Sequence, residues 1–239
     1  MITKDGKYLF LAFDHCIEHG AYKYEVDLDP RRISKIAERG KVDALIIPLG
    51  SYNYAKPKVK TIIKVTGKTE LAEEENQIQS IITFVDELKG KNIIGIAATV
   101  YVGHKYEYLM LENFAKLRRE ARKRKLIITG FFYPRTKIFD KYSYEAVSYA
   151  ARLGCELDAD IIKTYYTGSK ESFEKVVKKC FKPIVIAGGK KIEEENFLKI
   201  VKEAMEAGAS GVAVGRNVWE REDEEAIELL KTLREIVHE

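Results

Sequence analysis

"SYEAVSYAARLGCELDADIIKTYY", residues 143–166, reads as a helix running into a strand. In SYEAVSYAARLG (143–154) the apolar residues return at helical spacing, and Gly154 stands where a helix C-cap belongs. DIIKTYY (160–166) is β-branched and aromatic, the composition of a buried strand, yet it carries Lys163 at its centre. A charge held in an apolar strand lacks the water that ordinarily solvates it, so Lys163 needs a partner or a function.

The same alternation runs along the whole chain. Strand-like runs occur at YLFLAF (8–13), ALIIP (44–48), TIIKV (61–65), IIGIAATV (93–100), LIITGFFY (126–133), DIIKTYY (160–166), PIVIAG (183–188) and GVAVG (211–215). Amphipathic helical stretches separate most of them: DPRRISKIAERG (29–40), AEEENQIQSIITFVDELKG (72–90), SYEAVSYAARLG and EEENFLKIVKEAMEAG (193–208). Gly40, Gly90, Gly154 and Gly208 fall where their C-caps belong. Strand, helix, strand at this spacing requires parallel pairing through crossover connections. About eight such units in 239 residues predict an α/β protein, a single-domain (β/α)₈ TIM barrel over residues 1–239, in preference to a doubly wound sheet. Residues 49–60, LGSYNYAKPKVK, are too short and turn-like for a full helix, and an irregular crossover is expected there.

Composition narrows the partners. The chain is 46% hydrophobic, with no apolar run of membrane-spanning length and no basic-then-apolar leader, so a soluble cytoplasmic protein with no membrane partner is expected. Cys16, Cys155 and Cys180 lack the spacing of a zinc site or a disulfide scaffold and read as reduced thiols. The basic run KLRREARKRK (116–125) has helical spacing with Phe114 and Leu117 as its apolar partners. It reads as a solvated helix face, and no nucleic-acid partner is expected.

A barrel of this kind builds its active site at the carboxyl ends of its strands, and the unusual residues collect there. Asp14 and His15 follow strand one, Tyr133 and Arg135 end strand five, Gly188 and Gly189 follow strand seven, and Gly215 and Arg216 follow strand eight. Residues two apart on a strand share a face, so Lys163, Tyr133 and Asp14 are expected to point into one space, with Phe131 below Tyr133. Lys64 lies in another apolar run, and a second cation near Lys163 would depress its pKa further. Each residue also has a plain structural account. Lys163 can pair with Asp160, Tyr133 can be a core aromatic, and the two glycines can form a helix-entry turn. His15 and His19, with Asp14 and Glu18, raise a metal site, but no further histidine occurs before His104; hydrogen bonding to substrate is preferred and no metal is expected.

Five motifs in order, AFDHCIEHG (12–20), FFYPR (131–135), ADIIKTYYTGS (159–169), VIAGGKK (185–191) and GVAVGRNVW (211–219), give the chain a family resemblance. It resembles the archaeal-type class I fructose-bisphosphate aldolases of the DhnA type, from Asp14 to Trp219. The resemblance implies Schiff-base, metal-independent and cofactor-free cleavage or formation of a carbon–carbon bond in a phosphorylated ketose, with fructose 1,6-bisphosphate as the expected substrate. By the same resemblance Lys163 forms the imine, Tyr133 moves the proton and Asp14 assists it. Gly188, Gly189, Gly215 and Arg216 hold phosphate, and His15, His19, Phe131 and Arg135 line the substrate site. A ring-type homo-oligomer is also implied, a decamer being one such ring. Cys16, Phe131 and Lys190 stand where the family has glycine, tryptophan and often proline. Relatives with the same constellation make 2-amino-3,7-dideoxy-D-threo-hept-6-ulosonate or cleave an autoinducer phosphate thiolytically. From other classes, a non-covalent phosphate-binding isomerase would give no borohydride-trapped adduct, and an inactive binding protein would be expected to lack the lysine or tyrosine.

Overall fold

The computed structural model describes residues 2–73 and 76–239. Eight strands close into one barrel: β1 (Tyr8–Ala12), β2 (Ala44–Pro48), β3 (Thr61–Lys64), β4 (Ile93–Val102), β5 (Ile127–Pro134), β6 (Ile161–Thr164), β7 (Ile184–Ala187) and β8 (Gly211–Val214). Every pair in the barrel is parallel, each strand lies beside its neighbours in sequence, and β1 closes against β8. This is the (β/α)₈ barrel that the alternation predicts.

Both faces of the strands are buried, which is why the runs read as continuously apolar. Phe10, Ala12, Ile46, Ile62, Phe131 and Val185 belong to a cluster that fills the barrel. Leu9, Leu11, Ile63, Phe132, Ile162 and Ile186, on the alternate positions, belong to the larger core beneath the helices. In α2 (Pro30–Arg39) the Asp29 side chain accepts from the Arg31 amide, Pro30 opens the first turn, and Ile33, Ile36 and Ala37 are buried. Ser143 and Ser169 cap α5 (Tyr144–Glu156) and α6 (Lys170–Lys178) in the same way. The remaining helices are α1 (His15–His19), α3 (Leu49–Ala55), α4 (Glu107–Lys123), α7 (Glu194–Glu206), α8 (Arg216–Trp219) and α9 (Asp223–His238).

Three expectations need correction. Residues 72–90 are not one helix: Thr66–Gly67 and Ser80–Ile81 form a small antiparallel pair, and a short 3₁₀ turn covers Val85–Glu87. Glu74 and Glu75 of that stretch lie outside the described residues. The physical reason is that Gln79 and Thr66 bond inward to Lys64, fixing an extended path that helical periodicity cannot register. Gly154 lies inside α5 rather than beyond it, packed so closely that an added Cβ would meet Phe132 at 2.7 Å, and Gly90 follows no helix. Residues 49–60 hold the short helix α3 before Lys56 turns left-handed at φ 49°, so this crossover is more regular than expected.

The basic run lies largely on α4, whose Phe114 and Leu117 are buried. Its charges are largely paired, Arg122 with Asp158 and Asp160, Lys116 with Glu112, and Lys123 with Glu120. Asp160 is thus engaged away from Lys163. Cys16, Cys155 and Cys180 are free thiols. Among the described residues no helix is long and apolar enough to cross a membrane.

Candidate active site

Strand β6 delivers Lys163 into the barrel, in register between Phe131 on β5 and Val185 on β7. The side chain is 5% exposed, and Nζ lies 4.3 Å from the Phe131 ring centroid. Burial, helped by the positive charges of Lys64 and Arg216 and opposed by Asp14 and Glu18, lowers the amine to about 8. A free lysine sits near ~10.4, so this amine is much closer to being an active nucleophile at neutral pH.

Two residues beyond Phe131 on the same face, Tyr133 stacks on Tyr165 with ring centroids 4.8 Å apart. Arg135 fixes that arrangement, donating to the Tyr165 hydroxyl at 2.7 Å with its guanidinium 4.8 Å from the Tyr101 ring. Burial, reinforced by Tyr165, Asp14 and Tyr101, pushes the Tyr133 phenol well above its ordinary value, so the hydroxyl keeps its proton at neutral pH. Burial also pushes the Asp14 carboxyl up, but His15, Lys64 and Lys163 outweigh it and hold the group below the usual carboxylate range. His15 is the reverse case: burial drives its imidazole down to about 3 despite Asp14, leaving a neutral ring.

The turns after β7 and β8 form the opposite wall. Gly189 has φ +73°, a left-handed conformation that favours glycine. At Gly215 an added Cβ would lie 2.5 Å from His15 Cε1, so only glycine lets the imidazole and this turn meet. Asn217 is fully buried and ties the turns together, donating to Gly188 O at 2.7 Å and Lys190 O at 2.8 Å while accepting from the Ile192 amide at 3.0 Å. Arg216 Nε is buried without a hydrogen-bond partner among the described residues. Two glycine turns and a guanidinium with a free donor suit an anion of phosphate geometry.

The DeoC/LacD family aldolase model matches residues 8–221. The chain belongs to that aldolase family. A class 1 fructose-bisphosphate aldolase from Thermoproteus tenax is 36% identical over 100% of this chain and 92% of its own length. The class 1 enzyme from Halobacterium salinarum is 33% identical over 100% and 93%. A solved archaeal fructose-1,6-bisphosphate aldolase superposes with a TM-score of 0.93 at 34% identity, covering 99% of this chain and 96% of that one. Its catalytic lysine is covalently bound to the carbinolamine intermediate of the substrate.

In this aldolase barrel the residues singled out from sequence, Asp14, His15, His19, Phe131, Tyr133, Arg135, Lys163, Gly188, Gly189, Gly215 and Arg216, line one pocket. Thr99, Tyr101 and Tyr165 line it as well and were not anticipated. Thr99 and Tyr101 sit on inward positions of β4, a run that looks purely structural in sequence, and Tyr165 lies two residues beyond Lys163, just past the end of β6. His19 is hydrogen-bonded through Nδ1 to Glu70, and its ring centroid lies 6.0 Å from that of His15. Among the described residues no group of three His, Cys, Asp or Glu side chains gathers as around a metal ion. Lys64, fully buried on β3, reaches the same region, with Nζ 3.9 Å from Asp14 Oδ2 and 2.9 Å from Glu18 Oε1.

Proposed function

We propose that this aldolase acts on fructose 1,6-bisphosphate by the Schiff-base route, cleaving it to dihydroxyacetone phosphate and glyceraldehyde 3-phosphate or joining them. The observation that carries the reading is the buried Lys163 amine at about 8, facing the same pocket as the neutral phenol of Tyr133 and the ionised Asp14. Lys163 Nζ adds to the ketone carbon to give a carbinolamine. The Tyr133 hydroxyl gives its proton to the departing hydroxyl, which leaves as water, and a protonated imine remains. The resulting tyrosinate, now beside a cation, takes the proton of the substrate's β-hydroxyl. The carbon–carbon bond breaks, the aldehyde leaves, and the electron pair is held as the enamine. Protonation of the enamine carbon and hydrolysis return the ketone and the free lysine. Asp14 orients the β-hydroxyl and balances the cation.

One phosphate is assigned to Gly188, Gly189, Gly215 and Arg216, with the orphan Arg216 Nε supporting that choice. The other end of the substrate is assigned to Arg135 and His19, which line the same pocket from β5 and α1.

Borohydride reduction in the presence of fructose 1,6-bisphosphate tests the reading. A mass adduct on Lys163 is expected, formed faster as pH rises through about 8, because only the deprotonated amine attacks. Lys163→Ala should abolish both adduct and cleavage. Cleavage that persists without an adduct would overturn the Schiff-base assignment, and trapping by a different phosphorylated ketose in preference would change the substrate.

A further inference from the structure

We propose that the Glu70 carboxylate plugs an anion site built by His19, Lys23 and Lys68, and that the distal phosphate of the substrate displaces it on binding. The proposal deepens the assignment of that end of the substrate to Arg135 and His19, and rests on it.

Three basic side chains converge on one carboxylate. His19 Nδ1 is hydrogen-bonded to Glu70 Oε1, Lys23 Nζ donates to Glu70 Oε2, and Lys68 Nζ stands 3.7 Å from Oε1. The three come from separate segments: His19 ends α1, Lys23 ends the 3₁₀ turn Ala21–Lys23, and Lys68 follows Thr66–Gly67 of the small antiparallel pair. Lys68 is the fixed member. Its side chain is 7% exposed, and Nζ also donates to the Glu18 carbonyl at 3.2 Å and to Gln77 Oε1 at 2.8 Å. Arg135 stands close enough for its charge to act on Lys68. The cluster adjoins the pocket, because His19 lines it together with Arg135 and Glu18.

Positive charge is in excess there. Lys23, Lys68 and Arg135 are three cations, and His19 adds a ring nitrogen. Glu18 is committed elsewhere, with Oε1 on Lys64 and Oε2 on Gln79, which leaves Glu70 to serve the cluster. A phosphate dianion balances such a set better than one carboxylate does, and its three terminal oxygens can accept from several donors at once. Burial works against the Glu70 charge, but the hydrogen bonds from Lys23 and His19 prevail and hold its carboxyl at about 2, so it is ionised and competes with any second anion. Its backbone is not built into the barrel. Residues 68–73 belong to no helix or strand, and Leu71 beside it is 92% exposed. The carboxylate can swing out while α1 and the buried Lys68 stay in place. A plug that is closed most of the time weakens the apparent affinity for phosphate in proportion to the open fraction.

The test compares the parent with Glu70→Gln, which keeps the side chain's size and removes its charge. The concentration of ketose that half-saturates the initial rate of borohydride trapping on Lys163 is measured for fructose 1,6-bisphosphate and for fructose 1-phosphate, which lacks the distal phosphate. For the bisphosphate it should fall by about three- to tenfold in the variant, and for the monophosphate by less than about twofold. An unchanged or raised value for the bisphosphate, or equal falls for both ketoses, overturns the proposal; a latch kept only for stability would lower Tm and leave these concentrations alone. A second measurement needs no substrate. Carbodiimide coupling of glycine ethyl ester to Glu70 in the parent, read by peptide mass spectrometry, should rise several-fold in sodium sulfate, a tetrahedral dianion, over sodium chloride of equal ionic strength. Equal labelling in the two salts overturns the plug. Labelling that responds to sulfate in a protein that traps no fructose 1,6-bisphosphate would support the anion site and count against the substrate assignment instead.

Discussion

Tyr133 and Lys163 share a pocket but are assigned to different steps, so their variants should fail differently. Tyr133→Phe keeps the ring that stacks on Tyr165 and removes the only hydroxyl at that position. Imine formation does not depend wholly on that hydroxyl, because water can carry a proton to the departing oxygen. In the proposed mechanism the bond-breaking step does depend on it, since the tyrosinate left by dehydration is the base that takes the β-hydroxyl proton. Borohydride should therefore still trap substrate on Lys163 in the variant, while carbon–carbon cleavage slows by ~10²–10⁴-fold, the usual contribution of a positioned proton-transfer group. Single-turnover cleavage measured beside trapping checks this. Near-normal cleavage would pass the role to Asp14 or a water molecule.

Among the elements, the β7 and β8 turns matter most, because they are built as one unit by Asn217, a side chain that does not line the pocket. Asn217 makes three hydrogen bonds from a fully buried position, to the loop at Gly188, Lys190 and Ile192. Asn217→Ala removes all three of these hydrogen bonds from partly exposed backbone groups and frees the loop that carries Gly189. KM for the phosphorylated ketose should rise at least tenfold, with a much smaller change for an unphosphorylated analogue. Steady-state kinetics on both substrates measure the difference, and equal losses would mean that the loop does not form the phosphate site. Asn217 was visible in the sequence only as a neighbour of Arg216. Its partners lie 25 or more residues away along the chain, and no local pattern connects them.

At the scale of the whole molecule, α9 closes the base of the barrel through one residue. His238 places Nδ1 2.6 Å from Asp5 Oδ2 and Nε2 2.9 Å from Asp43 Oδ2, while Arg234 reaches Asp43 at 3.1 Å. Asp43 also accepts from the Leu9 amide at 2.7 Å, so the latch joins both ends of the chain to β1. The hydrogen bond from His238, then that from the Lys7 amide, holds the Asp5 carboxyl well below its ordinary value of 3.8. A carboxylate whose folded pKa is depressed contributes stability that is present above the unfolded value and is lost as pH falls below it. His238→Ala should therefore lower Tm by roughly 2–6 °C near neutral pH, with the difference from the parent narrowing below about pH 4. Thermal unfolding across pH checks both halves; an unchanged Tm would mean that the latch is not stabilising.

Local chemistry was enough to place the eight strands, the helices α2, α4, α5 and α7 and the identity of Lys163 as the anomalous residue, because burial on two faces and helical periodicity leave their mark within a few neighbouring positions. The alternation of side chains along β5 and β6 likewise puts Lys163, Phe131 and Tyr133 on inward faces from sequence alone. The path through residues 72–90 was misread as a helix. There the deciding contacts are Gln79 and Thr66 with Lys64, made across the barrel mouth, and they override the local pattern. The pairing of Lys64 with Glu18 was equally hidden, since 46 residues separate the two and no local pattern connects them. Closure of the barrel brings such residues together, and it is the removal of water around Lys163 that turns it into an amine near 8.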